Sequence, residues 1–289
     1  MGCDALMDEN LVLHPRNVRF DWASVPLHWV PGEPLTSHTI NTLHIVLPEG
    51  ERWFVEVFRE ALPLITDDEL REQVTGFIGQ EAMHAEAHQG AADHLAAQGL
   101  DPTPFVAQIE WLFRKLLGDR DLTGAAKHQW LLERLSVIAA IEHFTAVLGQ
   151  WILNSAPLDK AGADPTMLDL LRWHGAEEVE HRAVAFDLYM HLDGRYLRRI
   201  RTMIVVAPVL GWLFVRSARW LMANDPLKPG RARWRDYFRA ARIGLLPRLS
   251  ELLPAIWRYL PRGYHPRDEG STDQAVAYLA QSPAAKAAS

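Results

Sequence analysis

Four glutamates in this chain fall on helical faces that are otherwise apolar, and that pattern restricts the fold more than any other feature of the sequence. Positions three and four residues apart stack on one side of a helix. Glu51 shares such a side with Phe54, Val55 and Phe58, and Glu81 shares one with Val74, Phe77 and Ile78. Glu142 falls among Leu135, Ile138, Ala139, Ala146 and Gly149. Glu178 stands in the row Leu171, His174, Glu178, His181, Ala185. A carboxylate aimed into a core without a partner is costly and tends to hold its proton. Four aimed into one core repel one another unless cations lie between them. Metal ions resolve that conflict, and the accompanying histidines are metal donors rather than counter-charges.

The spacing sharpens this reading. Glu81-Ala-Met-His84 and Glu178-Val-Glu-His181 are two Glu-x-x-His segments. Each is preceded, one helix and a turn earlier, by a lone glutamate: Glu51 before the first, Glu142 before the second. A single Glu-x-x-His arises by chance on many solvated helices. Two of them, each with a partner Glu on an apolar face, match the donor pattern of carboxylate-rich dinuclear bundles. The candidate donors are therefore Glu51, Glu81, His84, Glu142, Glu178 and His181, and His174 shares the face of the last two. His88 continues the Glu81/His84 row and reads equally as a donor or as a supporting core histidine. His143, Glu177 and Glu180 fall off the metal face by angle, and Glu86 and His94 read as solvated. Arg182, beside His181, is placed to pair with a metal-holding carboxylate.

Periodicity of two is absent, so the expected class is all-α: a ferritin-like helix bundle with additional C-terminal helices. Residues 1–47 read as an irregular N-terminal arm, 48–200 as the bundle, 201–262 as C-terminal helices packed on it, and 263–289 as a flexible tail. Thr66 with Glu69 reads as a capping box, and Gly99 as a helix stop. Asp164 with Pro165 opens a helix expected to run to Gly194. The chain has 289 residues, 48% hydrophobic and 23% charged, enough for a sizeable core. A net charge of −6 gives no basic footprint for nucleic acid. The one cysteine, Cys3, excludes an internal disulfide framework and fits a reducing cytoplasm. The first twenty residues have no apolar core of signal-peptide length, and Leu6 argues against an N-myristoylation motif.

Three stretches carry a family resemblance. "RNVRFDWASVPLHWVPGEPLTSHTINTLHIVLPEGERWFVEVFRE", "IGQEAMHAEAH" and "EEVEHRAVAFDLY" resemble the bacterial family labelled predicted metal-dependent hydrolases, over residues 15–265. The donor pattern resembles the ferritin-like di-iron oxygenases, and within them the p-aminobenzoate N-oxygenase group, whose extra histidine gives His-x3-Glu-x2-His. His174, Glu178 and His181 match that spacing. The resemblance implies that His174 is a seventh donor. The competing reading is that His174 supports Glu178 from behind. Haem-oxygenase-like di-iron proteins offer a second pattern, which Glu81, His88, Glu142, His174, Glu178 and His181 would fit while leaving Glu51 and His84 unexplained.

A carboxylate-rich set with imidazoles suits two iron ions, with manganese or zinc as alternatives. The resemblance implies an O2-activating oxygenase or oxidase acting on a small organic or lipid-like molecule, with an electron donor that no motif identifies. A dinuclear metal-dependent hydrolase is the alternative, and a redox or storage bundle a third. The uncharged run from Thr202 to Val215 is short for a membrane span. With the basic amphipathic residues that follow, the segment 202–260 reads as packing on the bundle, as peripheral membrane contact, or as a greasy substrate entrance. A homodimer is compatible with the chain, though no motif requires one.

Overall fold

The computed structural model describes residues 12–288, and among them only helices, turns and loops occur. The all-α expectation holds. Cys3 and Leu6 lie outside the described residues. The helices are α1 (Pro34–Ala61), α2 (Asp68–Ala97), α3 (Thr103–Glu110, continued by a π turn over Trp111–Leu116), α4 (Gly124–Leu153), α5 (Ala156–Lys160) and α6 (Pro165–His181). They continue with α7 (Val184–Leu192), α8 (Tyr196–Asn224), α9 (Trp234–Arg242), α10 (Leu249–Tyr259), α11 (Thr272–Leu279) and α12 (Pro283–Ala288). The pair α1/α2 packs lengthwise, as does α4 against α6 and α7, and α8 lies against α1 and α4. Short connections make the members of each pair antiparallel. Phe58, Phe77, Leu135, Ile138 and Leu188 fill the centre and are completely buried.

The first helix starts at Pro34 rather than Pro48, so the irregular arm ends at Glu33. Proline is favoured at the first helical position and excluded from interiors, which makes Pro48 look like a start. In the fold, α1 runs through Pro48, because Ile45, Val46, Trp53, Phe54 and Val57 bury both sides of the lost hydrogen bond. The polar residues of its first half are inside and partnered. Ser37 Oγ accepts from Val30 N at 3.0 Å, and Asn41 Oδ1 accepts from Trp29 Nε1 at 2.8 Å. His38 Nε2 lies 2.7 Å and His28 Nε2 2.5 Å from Asp225 Oδ2. That three-residue clasp ties the arm, α1 and the end of α8 together.

The helix from Asp164 does not run unbroken to Gly194. It ends at His181, and a turn at Arg182 and Ala183 separates it from α7. Asp164 caps its start as expected, accepting from Thr166 N and Met167 N. At α2 the cap is Asp67, which accepts from Leu70 N, rather than Thr66. Gly99 (φ +89°) and Gly194 (φ +63°) take the left-handed conformation that ends helices.

The residues from 263 onward fold onto the bundle instead of forming a loose tail. Ala275, Leu279, Ala284 and Ala285 are buried against Trp173, Ala176 and Val179 of α6. Asp169 of α6 accepts from Tyr278 Oη (2.9 Å), Ser282 Oγ (2.7 Å) and Ala284 N (2.9 Å). Small apolar residues and a single buried acceptor give these two short helices a place that low-complexity composition hides.

A glycine pair sets the distance between α4 and α6. A Cβ at Gly149 would stand 2.5 Å from Gly175 O, and one at Gly175 would stand 2.9 Å from Gly149 Cα. The two backbones touch there, which brings Glu142 and Glu178, one turn or two away, toward each other.

Candidate metal centre

All seven residues singled out by spacing converge in the middle of the bundle. Glu51 comes from α1, Glu81 and His84 from α2, Glu142 from α4, and His174, Glu178 and His181 from α6. Each is buried to within a few per cent. His84 Nδ1 lies 3.4 Å from both Glu81 Oε1 and Glu178 Oε1. His174 Nε2 lies 2.8 Å from Glu178 Oε1 and 3.6 Å from Glu51 Oε1. His181 Nε2 lies 3.3 Å from Glu81 Oε1, 3.3 Å from Glu142 Oε2 and 3.4 Å from Glu178 Oε2. The donors form three overlapping groups: Glu51, His84 and His174; Glu81, His84 and Glu178; and Glu81, Glu142 and His181.

Close as they are, these atoms do not satisfy one another. Both oxygens of Glu51 and Glu81, one each of Glu142 and Glu178, His84 Nδ1, His174 Nε2 and His181 Nε2 are buried without a hydrogen bond of acceptable geometry. Buried polar atoms are almost always partnered, and each exception calls for a cause. Here they all point into one volume. Four carboxylates also balance the charge of two divalent cations, and mixed carboxylate and imidazole donors suit such ions. The residues fit a metal centre.

The far side of each imidazole is held by a residue outside the cluster. His84 Nε2 donates to Glu177 Oε2 at 3.0 Å, which turns Nδ1 toward the carboxylates. Glu177 is fully buried, and its other oxygen accepts from Arg16 at 2.6 Å and Trp173 Nε1 at 3.0 Å. His181 Nδ1 donates to Gln80 Oε1 at 3.0 Å. The amide is oriented by Gln80 Nε2, which donates to Glu180 Oε2 at 3.3 Å. His174 Nδ1 faces His88 Nε2 at 3.0 Å, and His88 Nδ1 faces His44 Nδ1 at 2.8 Å. All three imidazoles are thus oriented with one nitrogen inward.

The other residues singled out in the sequence take the following places. His88 stands behind His174 rather than in the cluster. The haem-oxygenase-like arrangement needs the reverse, with His88 inside and Glu51 and His84 outside. His174 is in the cluster. Glu177 and Glu180 are off the metal face, as expected, yet they are not idle: both take Arg16 from the N-terminal arm. Arg182 donates to the carbonyls of Val179 and Arg267. His143 faces Tyr264 Oη and the Ala255 carbonyl. Arg16, His44, Gln80 and Glu177 were not found from spacing, because nothing in a helical period marks a residue that supports another from behind.

Electrostatics report the same crowding. Burial, then repulsion from Glu81, pushes the Glu51 carboxyl well above the ordinary range. Burial and the charges of Glu178 and Glu81 push Glu142 up to about 8. Burial opposes a charge on His181, but Glu178 and Glu142 override it and raise the imidazole to about 10. His84 is likewise raised against burial, by Glu177, Glu178 and Glu81. Glu178 is held well below its ordinary value against burial, by His181 and His174. Protons and imidazolium charges thus do the work that cations would do.

An apolar cavity of about 610 Å³ leads to this centre. Its lining includes His174, Glu178, Thr39 and Thr145, together with Leu43, Leu148, Phe144 and Ile152 and residues of α8 to α10. Thr145 Oγ1 lies 3.5 Å from Glu142 Oε1.

An all-α fold with a buried His/Glu cluster at the end of an apolar channel defines a metal-dependent protein. The chain belongs to the predicted metal-dependent hydrolase family, whose description matches residues 14–270. No curated protein and no solved structure gives a significant match. The family description agrees better with the hydrolase alternative than with an oxygenase.

Proposed function

We propose that this chain is a dinuclear metal-dependent enzyme acting on a small organic or lipid-like substrate that enters through the apolar channel. The observation that supports it is the set of unpartnered buried atoms on seven residues, all facing one volume at the channel's end. Glu51, His84 and His174 would hold one ion and Glu142 and His181 the other, with Glu81 and Glu178 serving both. When bound, such ions supply Lewis-acid activation of water and a carbonyl, or, as reduced iron, electrons for O2. The remaining work belongs to the chain. Glu177, Gln80 and His88 keep the three imidazoles aimed inward, and the channel walls exclude water.

Hydrolysis of an ester or amide is the reaction that the family description supports. One observation favours O2-dependent oxidation as a second reading. Besides His174 and Glu178, the channel lining contains no His, Asp, Glu or Lys, and its hydroxyls are those of Thr39, Thr145 and Tyr237. No further side chain there titrates near neutrality, so a leaving group has no separate general acid. The donor order along the chain, Glu then Glu-x-x-His twice, also supports a ferritin-like di-iron reading. The discriminating experiment is turnover of an acyl ester by the zinc-loaded and iron-loaded protein, with and without O2. Ester cleavage by the zinc form without O2 supports hydrolysis. Oxygen consumption by the reduced iron form, with no anaerobic cleavage, supports oxidation.

A further inference from the structure

The outer end of the channel differs in chemistry from its walls. Arg219 of α8 and Arg233, just before α9, line it and are exposed, and among the described residues neither forms an ion pair. Arg235 and Arg239, close in sequence to Arg233, are engaged, with Asp236 and Glu33. Between the two free guanidinium groups and the buried His174 and Glu178, the lining is aliphatic and aromatic. Trp212 and Trp234 flank the entrance and are more than half exposed.

One wall position is left open. Gly211 lies in the middle of α8, where glycine costs about 0.5–1 kcal/mol relative to alanine. It lines the channel, and a Cβ built there would meet nothing within 4 Å. No close approach of backbone explains the glycine. Gly211 leaves its part of the channel lining without a side chain.

We propose that the channel binds one long, unbranched alkyl chain carrying an anionic head, of the fatty carboxylate class. Arg219 and Arg233 hold the head at the mouth, and the chain passes Gly211 toward His174 and Glu178. The charge of the two exposed arginines complements a carboxylate, and the apolar lining complements a hydrocarbon chain. This rests on the functional reading above and deepens it. With the head held at the mouth, methylene carbons rather than the carboxyl carbon reach the centre.

The test is binding of palmitate to the full-length protein, measured by titration calorimetry on metal-free and metal-loaded samples. Hexadecanol and phosphatidylglycerol vesicles serve as companion probes. One saturable palmitate site per chain is expected in both samples. Arg219→Ala with Arg233→Ala should weaken palmitate at least tenfold and leave hexadecanol within twofold. Gly211→Phe should weaken both, while Gly211→Ala, which retains the helix, shows by thermal melting whether substitution there preserves the fold. No saturable binding overturns the proposal. So does equal loss of palmitate and hexadecanol in the arginine variant, or vesicle binding without a monomer site. A protein that binds two metals but no palmitate sinks this inference and spares the metal reading; one that binds palmitate but no metal does the opposite.

Discussion

Glu177 Oε2 lies 3.0 Å from His84 Nε2, on the side of the ring away from the other carboxylates. That bond holds a proton on Nε2 and turns Nδ1 toward Glu81 and Glu178. Removing a partner of this kind typically costs 10–100-fold in metal affinity. Glu177→Ala should therefore weaken metal binding by about that factor while all seven donors stay in place. Competition with a chromogenic chelator measures it. Unchanged affinity would show that the imidazole needs no such support.

Stability of the metal-free protein should fall as the pH rises from about 6 to about 9. Glu142 is raised to about 8 and His181 to about 10 in the folded state. For groups whose folded values are raised, the stabilisation is complete below the unfolded value and is lost as the pH climbs through the folded one. Glu178 is depressed, so its contribution disappears only on the acid side. Bound metal displaces these protons, so the loaded form should gain most over the metal-free form at the alkaline end. Calorimetric Tm across that range decides it; a metal-free Tm that climbs with pH contradicts the assignment.

Glu51 holds two buried oxygens without hydrogen bonds, which is a liability when no cation is present. Glu51→Gln should raise the Tm of metal-free protein at about pH 8, since the buried carboxylate's ionisation no longer opposes folding. The same variant should bind the ion on the Glu51 side more weakly. Paired melting curves and metal titrations test the two halves; lower metal-free stability together with full metal content would refute both.

The contact of Gly149 with Gly175 leaves no room for a side chain. Gly175→Val should cost about 1–3 kcal/mol, as overpacking does, and should spread α4 from α6. Urea denaturation gives the stability change. If the variant is as stable as the parent, the two helices are not fixed by that contact.

The seven clustered residues were legible in the sequence because each must lie on the buried stripe of its helix, and that stripe repeats every three to four positions. Glu177 was not, since it sits beside Glu178 on a different side of α6 and acquires its role only when Arg16 arrives from the N-terminal arm. The start of α1 was hidden for a related reason. His38, Asn41 and His44 look solvated in a linear reading, yet each is buried against a partner distant in sequence: Asp225, Trp29 and His88. The two short C-terminal helices depend on Asp169 in the same way. Periodicity reports which face of a helix is inside; it does not report which buried polar groups will meet.

The central claim is that Glu51, Glu81, His84, Glu142, His174, Glu178 and His181 together hold two metal ions. Elemental analysis of protein expressed with iron, repeated on Glu178→Ala and on Glu81→Ala, tests it most directly, because those two carboxylates each lie within 3.4 Å of both His84 and His181. The expected result is about two ions per parent chain and less than half of that in either variant, with circular dichroism showing that the helices persist. A folded parent that takes up no metal, or variants that retain the full content, would contradict it.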